Sequence, residues 1–339
     1  MKILVTGGLG FIGSHTVVEL QNKGFEVVVI DNLSNSNIKV LDGIEKISGI
    51  RPDFEQFDLK DKHLVHRFFN NYPDIGGMIH FAASKAVNES VVTPLKYYEN
   101  NIHTLVYLLQ EMKERNLQNF IFSSSCTVYG EPDKLPITED ERIKPALTAY
   151  GYTKQAGETI IADVARAHGI KSIALRYFNP IGAHPSAEIG ELPLGVPQNL
   201  IPFVTQTAAG IREQLSVFGD DYPTEDGTAI RDYIHVVDLA KSHVVALERL
   251  LHDKHKSNFE IFNIGTGRGA SVMEIIKAFE KVNNIKLNYK IAPRREGDVV
   301  AVWADTTLAE NELGWKAELT MEDALRDAWK WQKKLSNIE

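Results

Sequence analysis

Three stretches of the chain combine residue types at spacings that suit chemistry. In Tyr150-Gly151-Tyr152-Thr153-Lys154 a phenol and an ammonium stand four positions apart, which puts them on one side of a helix. A tyrosine phenol ordinarily titrates near ~10 and is a poor base at neutral pH. A cation beside it favours the phenolate, and a favoured phenolate is a usable general base. Phe122-Ser123-Ser124-Ser125-Cys126-Thr127-Val128-Tyr129-Gly130 places hydroxyls at the end of an apolar run, where they can bond a substrate oxygen and Tyr150 together. Val5-Thr6-Gly7-Gly8-Leu9-Gly10-Phe11-Ile12-Gly13 contains G-x-G-x-x-G at Gly8, Gly10 and Gly13, preceded by Gly7. Glycine permits the tight turn and lets backbone amides approach a pyrophosphate at a helix N-terminus. Each stretch also has a plainer reading: an exposed Tyr–Lys pair, strand-end solvation, a structural turn. The three together, in this order, are much harder to obtain by chance than any one.

Such residues work only if a scaffold gathers them. β-Branched and apolar runs predict strands over 2–6, 26–30, 53–57, 78–82, 119–123 and 171–177. Helical spacing with polar faces predicts helices over 11–23, 61–71, 94–115 and 149–168. The last has Pro145 ahead of it, Thr148 as cap and Gly169 as stop. Strands alternating with helices mean a doubly wound parallel sheet of Rossmann type, an α/β fold with ligands at the strand C-termini. The second strand leads into Asp31, 18 positions after Gly13, near the spacing of an acid that binds an adenosine ribose. An acid there repels a 2′-phosphate and favours NAD over NADP; Asp31 as a simple turn residue is the alternative. Asp58 and Leu59, at the end of the third strand, are candidates to hold the adenine, or a helix cap.

The alternation breaks near residue 180. Residues 181–198 are dense in Pro and Gly and read as loop. Beyond them come short strands at 215–218, 233–235 and 261–264 and a helix over 271–282. The expected division is a nucleotide-binding domain over 1–180 and a smaller α/β substrate domain over 181–339, with some of its segments returning to the first sheet.

Composition narrows the function classes. Net charge is −8, so a nucleic-acid partner is not expected. Apolar residues make up 43% and charged residues 24%, ordinary for a globular enzyme. Cys126 is the single cysteine, which excludes an intrachain disulfide. No His and Cys residues pair at metal-ligand spacing, so no metal is expected. Lys2-Ile3-Leu4-Val5 is too short for a signal-peptide core and no apolar run approaches a membrane span, which points to the cytoplasm and no membrane partner.

The chain resembles the extended short-chain dehydrogenase/reductases, and among them the UDP-glucose 4-epimerase family, over essentially its whole length. The motifs are Thr6 to His15, His80-Phe81-Ala82-Ala83-Ser84-Lys85-Ala86-Val87, Phe122 to Ser125, the Tyr150/Lys154 pair and Arg176-Tyr177-Phe178-Asn179-Pro180-Ile181-Gly182-Ala183-His184-Pro185. Further on come Tyr222 to Thr228, Arg231-Asp232-Tyr233-Ile234-His235-Val236 and Ala292-Pro293-Arg294-Arg295-Glu296-Gly297-Asp298. The resemblance implies NAD as cofactor, held by Gly7, Gly10, Phe11, Ile12, Gly13, Asp31, Asn32, Asn35, Asp58, Leu59, Phe81, Ala82, Lys85, Asn100, Tyr150, Lys154 and Tyr177. It implies Tyr150 as base, Lys154 as the group that lowers its pKa and holds the nicotinamide ribose, and Ser125 as the residue that orients the sugar hydroxyl. Phe178, Asn179, Asn199, Leu200, Phe218, Arg231, Arg295, Asp298 and Val302 match the UDP-sugar positions. Arginine suits a diphosphate, an aromatic suits uracil and a carboxylate suits ribose hydroxyls. The alternative for Arg231 and Arg295 is an ion pair with Asp232 or Glu296.

Two departures stand out. Val302 occupies a position that some relatives fill with Tyr, which leaves room for N-acetylated sugars. Ala83 replaces a common glycine. The implied reaction is transient oxidation at sugar C4, turning of the 4-keto sugar on its UDP anchor and return of the hydride to the other face. The nearest rival, a nucleotide-sugar 4,6-dehydratase, needs an acid pair just after the strand-end hydroxyl, where this chain has Cys126 and Thr127. A non-enzymatic NAD-binding protein predicts loss of Tyr150 or Lys154, and a reductase that releases NADH predicts a plainer substrate site. The resemblance also implies a homodimer through helices 94–115 and 149–168.

Overall fold

Alternate residues of the β-branched runs go to opposite faces of one sheet, and both faces are covered. In the computed structural model, which describes residues 1–295 and 298–338, Ile3, Val5, Val27, Val29, Ile79, Ile121 and Ile173 point into one core. Leu4, Val28, Ile30, Met78, Phe120, Phe122 and Ala174 point into the other. Full burial of such side chains stabilises by roughly 1.5–3 kcal/mol each, so a one-residue slip in register would be costly.

The strands are β1 (Lys2–Thr6), β2 (Glu26–Asp31), β3 (Asp53–Gln56), β4 (Ile75–His80), β5 (Asn119–Ser123), β6 (Lys171–Tyr177), β7 (Asn179–Ile181), β8 (Leu215–Phe218), β9 (Ile230–His235), β10 (Phe259–Ile264), β11 (Gly269–Ser271), β12 (Tyr289–Ala292) and β13 (Ala301–Val302). The helices are α1 (Phe11–Asn22), α2 (Val40–Ser48), α3 (Lys62–Asn71), α4 (Val87–Val92), α5 (Pro94–Tyr98), α6 (Thr104–Glu114), α7 (Ala149–His168), α8 (Leu200–Ala208), α9 (Val236–Leu251), α10 (Val272–Asn283) and α11 (Met321–Ser336). The main sheet has seven strands in the order β10-β6-β5-β4-β1-β2-β3, all parallel. This is the expected doubly wound Rossmann-type sheet. Its order reverses between β1 and β4, where such sheets open a crevice at the strand C-termini.

The chain re-enters this sheet late: β10 adds its edge strand beyond β6, and α9 supplies Leu239, Val244, Leu247 and Leu250 to one of its cores. The remaining second half builds a smaller layer. β7, β11 and β13 all pair with β9, and β12 runs parallel to β8. Ile201 and Val204 of α8, Ile275 and Phe279 of α10 and Leu325 of α11 pack into its core. Only Phe178 separates β6 from β7, so the chain passes directly from one sheet to the other.

Two of the expected first-half elements differ most from the sequence reading. The helix expected over 94–115 is α5 and α6 joined by a π-turn at Glu99–His103. The strand expected over 78–82 starts at Ile75, takes Gly77 into its pairing with β1, and ends at His80. Phe81 and Ala82 therefore lie beyond the strand, in the crevice loop.

Candidate active site

The glycine turn forms a cradle at the N-terminus of α1. Gly7 sits at φ +68°, and a Cβ there would lie 2.8 Å from the Ala82 nitrogen. A Cβ on Gly13 would meet the Gly7 carbonyl oxygen at 2.3 Å. Gly10 is the N-cap of α1 and offers no side-chain cap, so the first-turn N–H groups carry a positive dipole end open to an anion. Phe11 and Ile12 open the helix. Asp31 ends β2 and is 9% exposed. Its carboxylate accepts from Leu9 N at 3.1 Å, Leu33 N at 2.9 Å and Ser36 Oγ at 2.7 Å, which ties the second strand end to the glycine turn. Asn32 donates from Nδ2 to Asp58 at 3.2 Å, while Leu59 is buried and Asn35 lies in the bend that follows Asp31. These residues fit a dinucleotide: a Cβ-free approach, an uncapped helix end and an acid one strand over.

Two further loops border the crevice. Phe81 packs on the buried His243 ring, centroids 4.7 Å apart, and the Ala82 N–H reaches Thr6 Oγ1 at 3.4 Å. Asn100, in the π-turn, donates to Ser84 Oγ at 3.2 Å. Lys85 Nζ stands 3.8 Å from Glu191 of the second half.

The serine stretch follows β5, and Lys154 reaches it from α7. Lys154 Nζ donates to the Ser123 carbonyl at 2.6 Å and lies 5.8 Å from the Tyr150 ring centroid. Ser123 Oγ and Tyr177 OH are 2.6 Å apart. Thr148 Oγ1 accepts from Gly151 N at 3.2 Å and starts the helix where the sequence put it. Tyr150, Lys154 and Ser125 are all buried. Burial pushes the Tyr150 phenol well above its ordinary value, opposed by the Ser125 hydroxyl, and pulls the Lys154 ammonium down to about 8, opposed by Glu158. Among the protein groups removal from water prevails over the Ser125 hydroxyl, and Lys154 bonds a carbonyl rather than the phenol; the expected lowering of the Tyr150 pKa also counts on a positive nicotinamide ring.

The second half holds the expected UDP-sugar residues, and Val302 among them packs against the serine turn. Arg295 lies over the Phe218 ring, 4.1 Å from its centroid. Arg231 Nη2 faces Asp298 at 3.4 Å, not its chain neighbour Asp232. Asp232 is buried and accepts instead from Thr266, Gly267 and Ala304. Glu296, the other ion-pair candidate, lies outside the described residues, as does Gly297. Val302 pairs with Arg231 across β13 and β9 and packs with Phe178, Val128, Tyr129 and Cys126 in a cluster that joins both halves. Asn179 opens β7 beside Tyr233. Asn199 caps α8 by position, followed by Leu200, and its amide donates to Glu191 at 2.6 Å.

Several residues at the site escaped the sequence reading. Asn101 is buried; it accepts from Ser84 N at 2.8 Å and donates to Thr153 Oγ1 at 3.0 Å, binding the Lys85 loop to α7. Its chain neighbour Asn100 carried the visible signal, and the π-turn that turns Asn101 inward has no marker. Glu158, Glu191 and His243 were likewise missed, since a lone acid or histidine on a helix or loop reads as solvated. His66, Glu111 and Glu114 come together on α3 and α6, where Arg115 also bonds Glu111 at 3.0 Å; they lie on the covering helices and not among the residues of the crevice. Among the described residues no helix is long and apolar enough to cross a membrane.

Residues 4–328 match the family model described as GDP-mannose 4,6 dehydratase. The UDP-glucose 4-epimerase of Haemophilus influenzae is 51% identical over 334 residues, covering 98% of each chain. That of Bacillus subtilis is 50% identical over 339 residues, covering 100% of this chain and 98% of its own. Among solved structures, UDP-glucose-4-epimerase from Stenotrophomonas maltophila with bound NAD and formylated UDP-arabinopyranose is 46% identical, with a TM-score of 0.95 and 100% of both chains covered. The Bifidobacterium longum UDP-glucose 4-epimerase in complex with NAD+ and UDP gives the same identity, TM-score and coverage. The parallel sheet, glycine cradle and Tyr-x-x-x-Lys helix define an extended short-chain dehydrogenase/reductase. The chain belongs to the family that the matching model describes, and within it to the UDP-glucose 4-epimerases.

Proposed function

We propose that this chain binds NAD and interconverts UDP-galactose and UDP-glucose by transient oxidation at C4 of the sugar. The observation that carries this reading is the convergence of Tyr150, Lys154 and the serine turn with an open glycine cradle, at the crevice end of one sheet. Gly7, Gly10 and Gly13 would admit the pyrophosphate, Asp31 would take the adenosine ribose, and Lys154 and Tyr177 would hold the nicotinamide end. Bound NAD+ would supply the acceptor and donor of the C4 hydride and a positive charge that favours the phenolate. Tyr150 takes the proton of the sugar 4′-hydroxyl and gives it back, while Ser125 orients that hydroxyl. Arg231 and Arg295 clamp the diphosphate, Phe218 covers uracil and Asp298 bonds the ribose, with Asn179, Asn199 and Leu200 lining the approach. Binding energy is thus spent on UDP, which leaves the sugar free to turn.

The dehydratase reading lacks its acid: burial pushes the Cys126 thiol up to about 12, and Thr127 is a hydroxyl. Val302 leaves space near C2 of the hexose, so UDP-GalNAc and UDP-GlcNAc also fit. Because the cofactor is regenerated each cycle, it stays bound. The protein acts in the cytoplasm as a homodimer, supported by Leu95 of α5 and Tyr152 of α7, 78% and 53% exposed on helices that touch. The test is conversion of UDP-galactose to UDP-glucose by the purified protein with no added NAD, compared with Tyr150→Phe. Wild type converts; the variant falls by roughly 10²–10⁴-fold in kcat while still binding UDP. No conversion by wild type even after NAD is supplied overturns the reading.

A further inference from the structure

One turn beyond Lys154 on α7 lies a buried ion pair that the proposed reaction does not use. Glu158 accepts from Arg176 Nε at 2.9 Å and Nη2 at 2.6 Å, and from Ser124 Oγ at 2.6 Å. The two charged side chains are 9% and 4% exposed. Arg176 also stacks over the Tyr129 ring at 4.7 Å, and Tyr129 OH donates to Asn263 at 2.6 Å. Burying two charges carries a desolvation penalty that apolar residues of the same volume avoid, so stability alone is a weak reason for the pair.

Its contacts give a better one. Ser124 sits between Ser123, whose carbonyl accepts from Lys154 at 2.6 Å, and Ser125, which lies beside the phenol. The Ser124 N–H is in turn held by the Leu175 carbonyl at 3.0 Å, next to Arg176. Glu158 therefore ties the serine turn to α7 through one hydroxyl and to β6 through one guanidinium. Glu158 also follows Lys154 by four positions on α7, the spacing that puts both on one side of the helix, so that its charge favours the ammonium. The other groups near that ammonium are Tyr150 on α7 and His80 on β4, which burial and Lys154 keep neutral; from β6, Tyr177 reaches Ser123 and Arg176 reaches Glu158.

We infer that Glu158 is a positioning residue for the reaction: it fixes Ser124, and with it Ser123 and Ser125, against the Tyr150–Lys154 helix, and its charge holds Lys154 as an ammonium. This role rests on the epimerase reading. A merely structural pair predicts lower activity at every pH. A charge-holding role predicts a moved pH profile, because a neutral Lys154 no longer favours the phenolate.

The experiment is the pH dependence of kcat for wild type, Glu158→Gln and Glu158→Asp, with UDP-galactose. Glu158→Gln keeps the acceptor for Ser124 but removes the charge. Its alkaline limb is expected to move to lower pH by about one unit or more, with KM little changed, and Glu158→Asp restores most of the shift. If Glu158→Gln does not fold, the double variant Glu158→Gln/Arg176→Met buries no unpaired charge and is expected to shift in the same direction. A limb that stays at the wild-type pH in a folded variant overturns the inference. An inactive wild type instead overturns the epimerase reading, so the two failures are separate.

Discussion

Residue by residue, the site is a set of groups held away from their solution behaviour. Burial raises the Tyr150 phenol, which leaves it a poor base by its own surroundings, and lowers Lys154 to about 8, toward neutral pH. In the proposed reaction further positive charge arrives with the cofactor, which ties catalysis to occupancy of the crevice. Val302 is the residue proposed to set substrate choice. It is buried among Phe178, Val128 and Cys126, and a larger side chain there would fill the space assigned to an N-acetyl group. Val302→Tyr is expected to lower the ratio of UDP-GalNAc to UDP-galactose turnover by about 10-fold or more, in line with one to a few kcal/mol of steric discrimination. Chromatographic rates on both sugars measure it, and an unchanged ratio would remove Val302 from that role. The residues proposed to do chemistry were legible because their types are unusual at their spacing. Glu158, Asn101 and His243 were not, because their importance comes from partners far away in the chain, such as Ser124 and Arg176 for Glu158, Ser84 for Asn101 and Phe81 for His243.

Among the elements, those of the first half of the chain were readable and those of the second only in part. β1, β5, β6 and α7 begin and end where their runs and caps place them, since strands buried on both faces are unbroken apolar runs and α7 has Thr148 and Gly169 at its ends. α9 was missed because its buried residues go almost all the way round, from Val236 through His243 to Leu250, leaving no stripe, and because its cap is the His235 ring, an uncommon choice. α11 was missed despite a capping box at Thr320 and Asp323, its charged sequence reading as surface. The turn from β1 into α1 is the most constrained junction. Gly13→Ala drives a Cβ against the Gly7 carbonyl at 2.3 Å and so deforms the cradle. The variant is expected to purify with little NAD bound and to fall at least about 10-fold in activity, consistent with roughly 1–3 kcal/mol of overpacking. Cofactor released by acid and read by absorbance checks this; a fully loaded variant would contradict a phosphate-admitting role for the turn.

For the whole molecule, the two halves share their cores. β10 and α9 complete the first layer, and Val302 and Phe178 pack with the serine turn from opposite sides of the 180 position. A boundary drawn from composition alone hides this exchange. Unfolding is therefore expected to respond to histidines in both halves. Burial lowers His15 and His80 to about 3 and His243 to about 4. Below their unfolded value near ~6.5, the unfolded chain takes up protons that the folded chain refuses. Stability then falls as pH drops from about 6.5 toward 4, by roughly 2 kcal/mol per histidine at pH 5. Denaturant midpoints at pH 7.5 and pH 5 test the sign, and a higher midpoint at pH 5 would contradict it.

The proposed chemistry stands on one hydride that leaves C4 of the sugar and returns to it inside a single site. The decisive measurement uses UDP-galactose carrying deuterium at C4, with the UDP-glucose product read by mass spectrometry and NMR. The product is expected to keep the deuterium at C4, with none appearing in water. Loss of the label to solvent would mean that a C–H bond is broken by proton abstraction instead, and the roles of the glycine cradle and of Tyr150 in hydride transfer would fall together.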